Sequence, residues 1–208
     1  MTKLVNNQGV PAPHAAEDRA GQDHAKAQIA RILRVDQAGE FGAQRIYRGQ
    51  LDMLTDRHGR PRPGLGHTAA LVKHMAEQED AHLARFNELV AERGVRPTAL
   101  RPLWTVAGYA LGAVTALMGE KAAMACTAAV ESVIDEHYAG QQATLDRMAK
   151  SGLDEPELRD AIAQFRAEEA EHHDTAIDEG AEEAAAYPVL SAIIKTASRS
   201  AIWLSERF

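Results

Sequence analysis

Four helical stretches of this chain set a glutamate in the middle of an apolar stripe, where leucine or isoleucine would ordinarily pack. In the first, the inward positions read Ile29, Leu33, Asp36, Glu40, Ala43, Tyr47, Leu51 and Leu54. The second reads Leu71, Met75, Gln78, His82, Phe86 and Leu89, with Glu79 beside Gln78. The third reads Leu117, Glu120, Met124, Thr127, Glu131, Ile134, Tyr138, Leu145 and Met148, and the fourth Leu158, Ile162, Phe165, Glu169, His172 and Ala176. Burying one unpaired carboxylate costs several kcal/mol even after relaxation. Four in one core would also repel, and protonation relieves only one or two of them. Four acids converging with two histidines therefore call for cations.

Periodicity and punctuation predict five helical segments. They run from about Asp23 to Arg57, Thr68 to Arg93, Leu103 to Lys150 with a bend near Gly119, Asp154 to Gly180, and Pro188 to the C-terminus. The stretch HGRPRPGLG, His58 to Gly66, is a loop, because its prolines and glycines stop a helix. No strand pattern competes. The expectation is an all-α fold: one four-helix bundle domain over residues 23–208, after a loose tail over residues 1–22, with an additional helix at the surface.

Two segments carry Glu-x-x-His, as Glu79-Asp80-Ala81-His82 and Glu169-Ala170-Glu171-His172. Side chains at i and i+3 share one helix face and can reach one ion. The other two segments offer Glu40 and Glu131. Glu79 stands 39 positions after Glu40, and Glu169 stands 38 after Glu131, so the chain reads as two similar helix pairs. One glutamate from each of two helices, with Glu-x-x-His from each of the others, is the ligand set of ferritin-like di-iron carboxylate proteins. The candidate metal ligands are thus Glu40, Glu79, His82, Glu131, Glu169 and His172, and the candidate cofactor is two iron ions. Bridging carboxylates suit iron or manganese; zinc settles in four-coordinate sites richer in His or Cys.

Glu168 and Gln78 directly precede the Glu-x-x-His ligands and are placed to reach across to the opposite histidine. Asp36 lies one turn before Glu40, and His137 and Tyr138 lie about two turns after Glu131. His14, His24, His58, His67, His74 and His173 hold no seam position and are expected at the surface.

With 208 residues, 45% of them hydrophobic, the chain can bury one sizeable core. Its net charge of -7 makes nucleic acid a poor partner. One cysteine, Cys126, excludes an internal disulfide and a cysteine-built zinc site. GLGHTA, Gly64 to Ala69, follows RPRP rather than a strand, so no dinucleotide fold is expected from it. Met1 to Gly21 has neither the apolar run nor the arginine-rich face of a targeting segment, which points to a bacterial cytoplasmic setting.

From Pro102 to Gly119 no residue is charged, near the lower limit for a membrane-spanning helix. Three glycines and the closely following Glu120 and Glu131 argue against spanning. The last segment sets Leu190, Ile193, Ile194, Ala197, Ala201 and Leu204 on one face, Lys195 and Arg199 opposite, and Trp203 near the edge. That is the pattern of a helix lying in a membrane interface. A peripheral protein on the cytoplasmic face of the bacterial inner membrane is expected.

RVDQAGEFGAQRIYRGQ (Arg34 to Gln50), EQEDAHLARFNEL (Glu77 to Leu89), AGYALGAVTALMGEKAAMACTAAVE (Ala107 to Glu131), EHYAGQ (Glu136 to Gln141), FRAEEAEHHD (Phe165 to Asp174) and AIWLSERF (Ala201 to Phe208) resemble the demethoxyubiquinone hydroxylases. These are di-iron monooxygenases of ubiquinone biosynthesis, and the resemblance covers roughly Ile29 to Phe208. It implies a ferritin-like fold, the same six ligands, O2 as co-substrate and hydroxylation of a polyprenylated demethoxyubiquinone or demethoxyubiquinol ring. It also implies an external reductant, NADH or the quinol, and leaves room for a protein partner from ubiquinone biosynthesis. Tyr138 and His137 are candidate catalytic relays for protons or electrons. The loop DRHGRPRPGLG, Asp56 to Gly66, is longer than the family leads one to expect. An iron-storing ferritin would need a self-assembling polar surface, which the apolar third segment and amphipathic tail do not offer. A rubrerythrin-type peroxidase would need a cysteine-rich iron domain.

Overall fold

The computed structural model describes residues 13–208. Six helices follow in order: α1 (Pro13–Leu54), α2 (Gly66–Glu92), α3 (Arg101–Leu117), α4 (Glu120–Lys150), α5 (Pro156–Asp178) and α6 (Tyr187–Ser205). A single 3-10 turn, Ala181–Glu183, lies between the last two. Residues 1–12 of the expected tail lie outside the described residues. The helix that was expected to start at Asp23 already runs from Pro13. Its first turns, PHAAEDRAGQDH, are rich in helix formers but carry no apolar stripe, so periodicity gave no sign of them.

Helices α1, α2, α4 and α5 form the bundle. At one end Ile29, Leu33, Phe86, Leu89, Leu145, Leu158, Ile162 and Phe165 pack together. At the other, Ala43, Leu54, Val72, Met75, Met124, Ala128 and Ala176 do so. Each helix crosses from one cluster to the other at its glutamate. In α2 the seat expected for Leu71 belongs to Val72, which is fully buried while Leu71 stays partly exposed. Between α1 and α2 the long loop folds on Asp56, which accepts from the backbone N–H groups of His58 and Arg60 and pairs with the Arg60 guanidinium at 2.8 Å.

The segment expected as one bent helix over Leu103 to Lys150 is two helices. Gly119 breaks it with φ 118°, a conformation that L side chains rarely adopt. The break lets α3 lie along α1 instead of prolonging α4. Backbones approach so closely there that a Cβ on Gly112 would strike the Ile46 carbonyl, and one on Gly49 the Tyr109 carbonyl. The expected inward positions Leu117 and Glu120 fall at this break. Leu117 is 71% exposed, and Glu120 opens α4, accepting from the Thr68 hydroxyl where helix N-termini favour acids.

On α6 the expected apolar face is split. Ile194 is buried against Cys126, Ala129 and Val130, whereas Ile193 is 62% exposed on the outer side with Val189 and Trp203. Serines, Ser191 and Ser205, share the buried side with Ile194. Burial pushes the Cys126 thiol up to about 12, which leaves it an unreactive packing group. Among the described residues no helix is long and apolar enough to cross a membrane.

Candidate metal centre

The six side chains marked by spacing converge at the middle of the bundle, all buried. They form two groups, Glu40, Glu79, His82 and Glu169, and Glu79, Glu131, Glu169 and His172. Within each group one ligand-type atom per residue lies within 4.8 Å of all the others. Glu79 and Glu169 belong to both groups and so stand between the two ends. Glu40 with His82, and Glu131 with His172, complete the two ends.

The imidazoles point their Nδ1 atoms inward. His82 Nδ1 lies 3.2 Å from Glu169 and 3.5 Å from Glu40, and His172 Nδ1 lies 3.1 Å from Glu169 and 3.5 Å from Glu79. The outer nitrogens are held across the bundle: His82 Nε2 meets Glu168 at 2.7 Å, and His172 Nε2 meets Gln78 Oε1 at 3.0 Å. Both reaches are those expected from the sequence. They fix the ring orientations as second partners of metal-binding histidines do.

Two tyrosines tie the halves together. Tyr138, already a candidate, donates its hydroxyl to Glu40. Tyr47, read from the sequence only as an inward position, donates to Glu131 Oε1 at 2.7 Å. A signal was present: each tyrosine stands seven residues after its own helix's glutamate and bonds the other helix's glutamate. His137 does not touch the six residues; it sits with Asp36 and Gln141 at the edge of the bundle. Its neighbours Asp135 and Glu136 are surface ion-pair members, with Arg166 at 2.7 Å and Arg199 at 2.9 Å. Of the remaining histidines, His24, His58, His67 and His74 are exposed and His173 is partly buried; the side chain of His14 lies outside the described residues.

The cluster's electrostatics are those of a cation site. Burial, then the neighbouring Glu169, pushes Glu79 and Glu131 well above the ordinary carboxylate range. Burial would raise Glu169 too, but His172 and His82 hold it down at about 2. Burial opposes charge on His82, yet Glu169 and Glu40 lift it to about 11. Both oxygens of Glu79, Glu40 Oε2, Glu131 Oε2, Glu169 Oε1 and His82 Nδ1 are buried with no hydrogen-bond partner. Native interiors rarely tolerate such a set. Oxygen-rich donors with one imidazole at each end fit a pair of divalent iron-like ions.

An apolar cavity of about 290 Å³ lies beside the cluster, among α1, α3, α4 and α6. Gly39, Ala43, Val130 and Ile134, which flank Glu40 and Glu131 in sequence, form part of its wall. Ala107, Leu111, Ala201 and Ile202 line it from α3 and α6. There Trp104 Nε1 donates to Ser205 Oγ at 3.1 Å, linking the two helices. Outside it, Leu103, Val106, Val114, Val189, Ile193 and Trp203 are exposed on the same two helices.

Residues 27–205 match the family described as ubiquinone biosynthesis protein COQ7. A Rhodospirillum rubrum protein named 3-demethoxyubiquinol 3-hydroxylase is 53% identical over 193 residues, covering 92% of this chain and 84% of that protein. The Dictyostelium discoideum protein named NADPH-dependent 3-demethoxyubiquinone 3-hydroxylase, mitochondrial, is 44% identical, covering 99% of this chain and 90% of its own length. The Homo sapiens protein of that name is 49% identical, covering 88% and 79%. With the family pattern running through nearly all of α1 to α6, and a carboxylate–histidine cluster at the centre of the bundle, this chain belongs to the COQ7 family of ubiquinone biosynthesis proteins.

Proposed function

We propose that this chain is a di-iron monooxygenase that hydroxylates the ring of a polyprenylated demethoxyubiquinone or demethoxyubiquinol. The observation that carries the reading is the pair of overlapping four-residue groups sharing Glu79 and Glu169. Glu40, Glu79, His82, Glu131, Glu169 and His172 would hold two iron ions. When bound, that pair supplies the redox chemistry by which O2 is activated.

The chain's own residues do the rest. Glu168 and Gln78 keep both imidazoles aimed inward, and Tyr47 and Tyr138 fix one oxygen each of Glu131 and Glu40. The apolar cavity receives the quinone ring beside Glu40 and Glu131 and keeps bulk water away from it. Its α3 and α6 walls lead toward the exposed apolar residues, where a polyprenyl tail would run into lipid. The protein thus works on a membrane surface without crossing it, in this reading on the cytoplasmic face of the bacterial inner membrane. Tyr138, hydrogen-bonded to Glu40, and His137 next to it act as relays for protons or electrons. The reductant is external; several relatives carry NADPH dependence in their names, and a hydride donor of that class is the first to try.

The test is anaerobic loading with ferrous iron, followed by demethoxyubiquinone, NADPH and isotopically labelled O2, with mass spectrometry of the quinone. Gain of one labelled oxygen is expected. An unchanged quinone in the presence of bound iron would overturn the reading and favour iron handling instead.

A further inference from the structure

A second recess, of about 270 Å³, opens between α1, α4 and the C-terminal residues. Its lining is polar where the quinone cavity is apolar: Arg31, Glu136, His137, Gln141, Thr144 and Glu206. At its inner end the Gln141 amide nitrogen donates to Asp36 Oδ1 at 2.6 Å and lies 2.8 Å from His137 Nε2. His137 Nε2 itself stands 3.5 Å from Asp36 Oδ1. The His137 side chain is 20% exposed, whereas that of Asp36 is fully buried. Asp36 Oδ2 and Gln141 Oε1 are both buried without a partner. A carboxylate so placed is costly unless it takes up a proton or meets water.

We propose that this cleft is the proton intake of the enzyme, with His137 passing protons from solvent to Asp36 and Gln141 holding the two in register. The inference rests on the hydroxylation reading, which sets the demand. One oxygen atom of O2 enters the ring C–H bond to give C–OH, and the other leaves as water. The hydride donor supplies two electrons and one proton, and a second proton from solvent completes that balance. The quinone cavity is a poor route for that proton, since apolar walls offer no relay. Asp36 lies one helical turn before Glu40, and its charge helps to raise the Tyr138 phenol that bonds Glu40, which puts it on the Tyr138 side of the centre.

Burial holds the Asp36 carboxyl above its ordinary value in spite of the His137 and Gln141 bonds, which favours its protonated form. The charged groups around the pair are Arg31 from α1, Glu136 from α4 with its partner Arg199 from α6, and Glu206 at the C-terminus. Glu40 adds its charge from the buried side. Asp36 therefore acts as a positioning and relay residue, not as a group touching substrate.

Iron-loaded Asp36→Asn is the first test, in the same labelled-O2 assay. The variant keeps the shape but cannot exchange a proton. Expected are wild-type iron content, an unchanged KM for the quinone, a kcat lower by roughly 100-fold, more reductant lost to hydrogen peroxide, and partial rescue in Asp36→Glu. Wild-type kcat and coupling in Asp36→Asn would overturn the proposal. So would a loss of kcat that simply tracks loss of iron. Should Asp36→Asn not fold, His137→Gln at the partly exposed end decides. A lower kcat with a larger solvent deuterium isotope effect supports the route, and unchanged values sink it. Wild-type turnover tests the hydroxylation reading separately, and only the variant-to-wild-type ratio tests the intake.

Discussion

The α1–α2 and α4–α5 halves of the bundle agree in what faces the metal centre and differ in what stands behind it. An offset of 91 positions (131 − 40) carries Glu40 onto Glu131 and Tyr47 onto Tyr138, and an offset of 90 (169 − 79) carries Glu79 onto Glu169 and His82 onto His172. The same offsets carry Asp36 onto Thr127, Ile46 onto His137 and Gln78 onto Glu168. Ile46 lines the apolar cavity and His137 the polar cleft. The duplicated residues are those of the two buried carboxylate–histidine groups and the tyrosines that bond them. The divergent ones face different surroundings: an apolar cavity on one side, a polar cleft on the other. Two-fold likeness thus stops one layer from the centre.

The hardest test of that division is to break the shared members. Glu79 and Glu169 each serve both groups, whereas Glu40 and Glu131 serve one apiece. Glu169→Ala is expected to hold fewer than roughly one ion per chain and to lose turnover altogether, while Glu131→Ala keeps about one ion. Metal analysis beside far-ultraviolet circular dichroism checks both. Helical content should survive in either, because the apolar clusters on both sides of the centre stay intact. Equal metal loss in the two variants would show that the ends are not separable.

A smaller effect sharpens the same contrast. His82 is held by a carboxylate, Glu168, and His172 by an amide, Gln78. A carboxylate partner makes the ring a stronger donor than an amide does. Glu168→Ala and Gln78→Leu should each weaken iron binding by about 10- to 100-fold, with Glu168→Ala the more severe. Competitive titration with a chelator reads the ratio. A reversed order would place the tighter ion at the α5 histidine instead.

The sequence made the centre legible, because ligand spacing on a helix is set by the 3.6-residue turn whatever the rest of the fold does. Glu79 with His82 and Glu169 with His172 needed nothing else. What escaped were features that depend on which helix neighbours which. Tyr47 looked like one more inward residue until α4 brought Glu131 within 2.7 Å of its hydroxyl. At Gly119 the pattern predicts only a bend, because a lone glycine inside an apolar run does not declare its φ. On α6, Ile193 and Ile194 could not be told apart by periodicity. Only the packing of Cys126, Ala129 and Val130 chooses Ile194.

The last contrast concerns where protons rest when no ions are bound. His82 faces three carboxylates, Glu40, Glu168 and Glu169, whereas His172 faces Glu79, Glu169 and an amide. His82 is lifted from 6.5 to about 11, so its stabilising charge is complete below pH 6.5 and lost as pH rises toward 11. Glu79 and Glu131, raised by burial, bind more protons folded than unfolded above about 4.5, so they too favour the fold less as pH rises. Glu169, held at about 2, has given its full contribution by pH 4.5 and adds no slope above it. All slopes near neutrality therefore have one sign. The metal-free protein should melt lower at pH 9 than at pH 6, by about 2–4 °C for each kcal/mol lost. Iron should gain affinity over that range, because its ligands must shed those protons. Scanning calorimetry of apo and iron-loaded protein, with His82→Gln to flatten the apo slope, measures this. An apo melting temperature that climbs between pH 6 and 9 would mean the buried acids are already ionised and paired without metal.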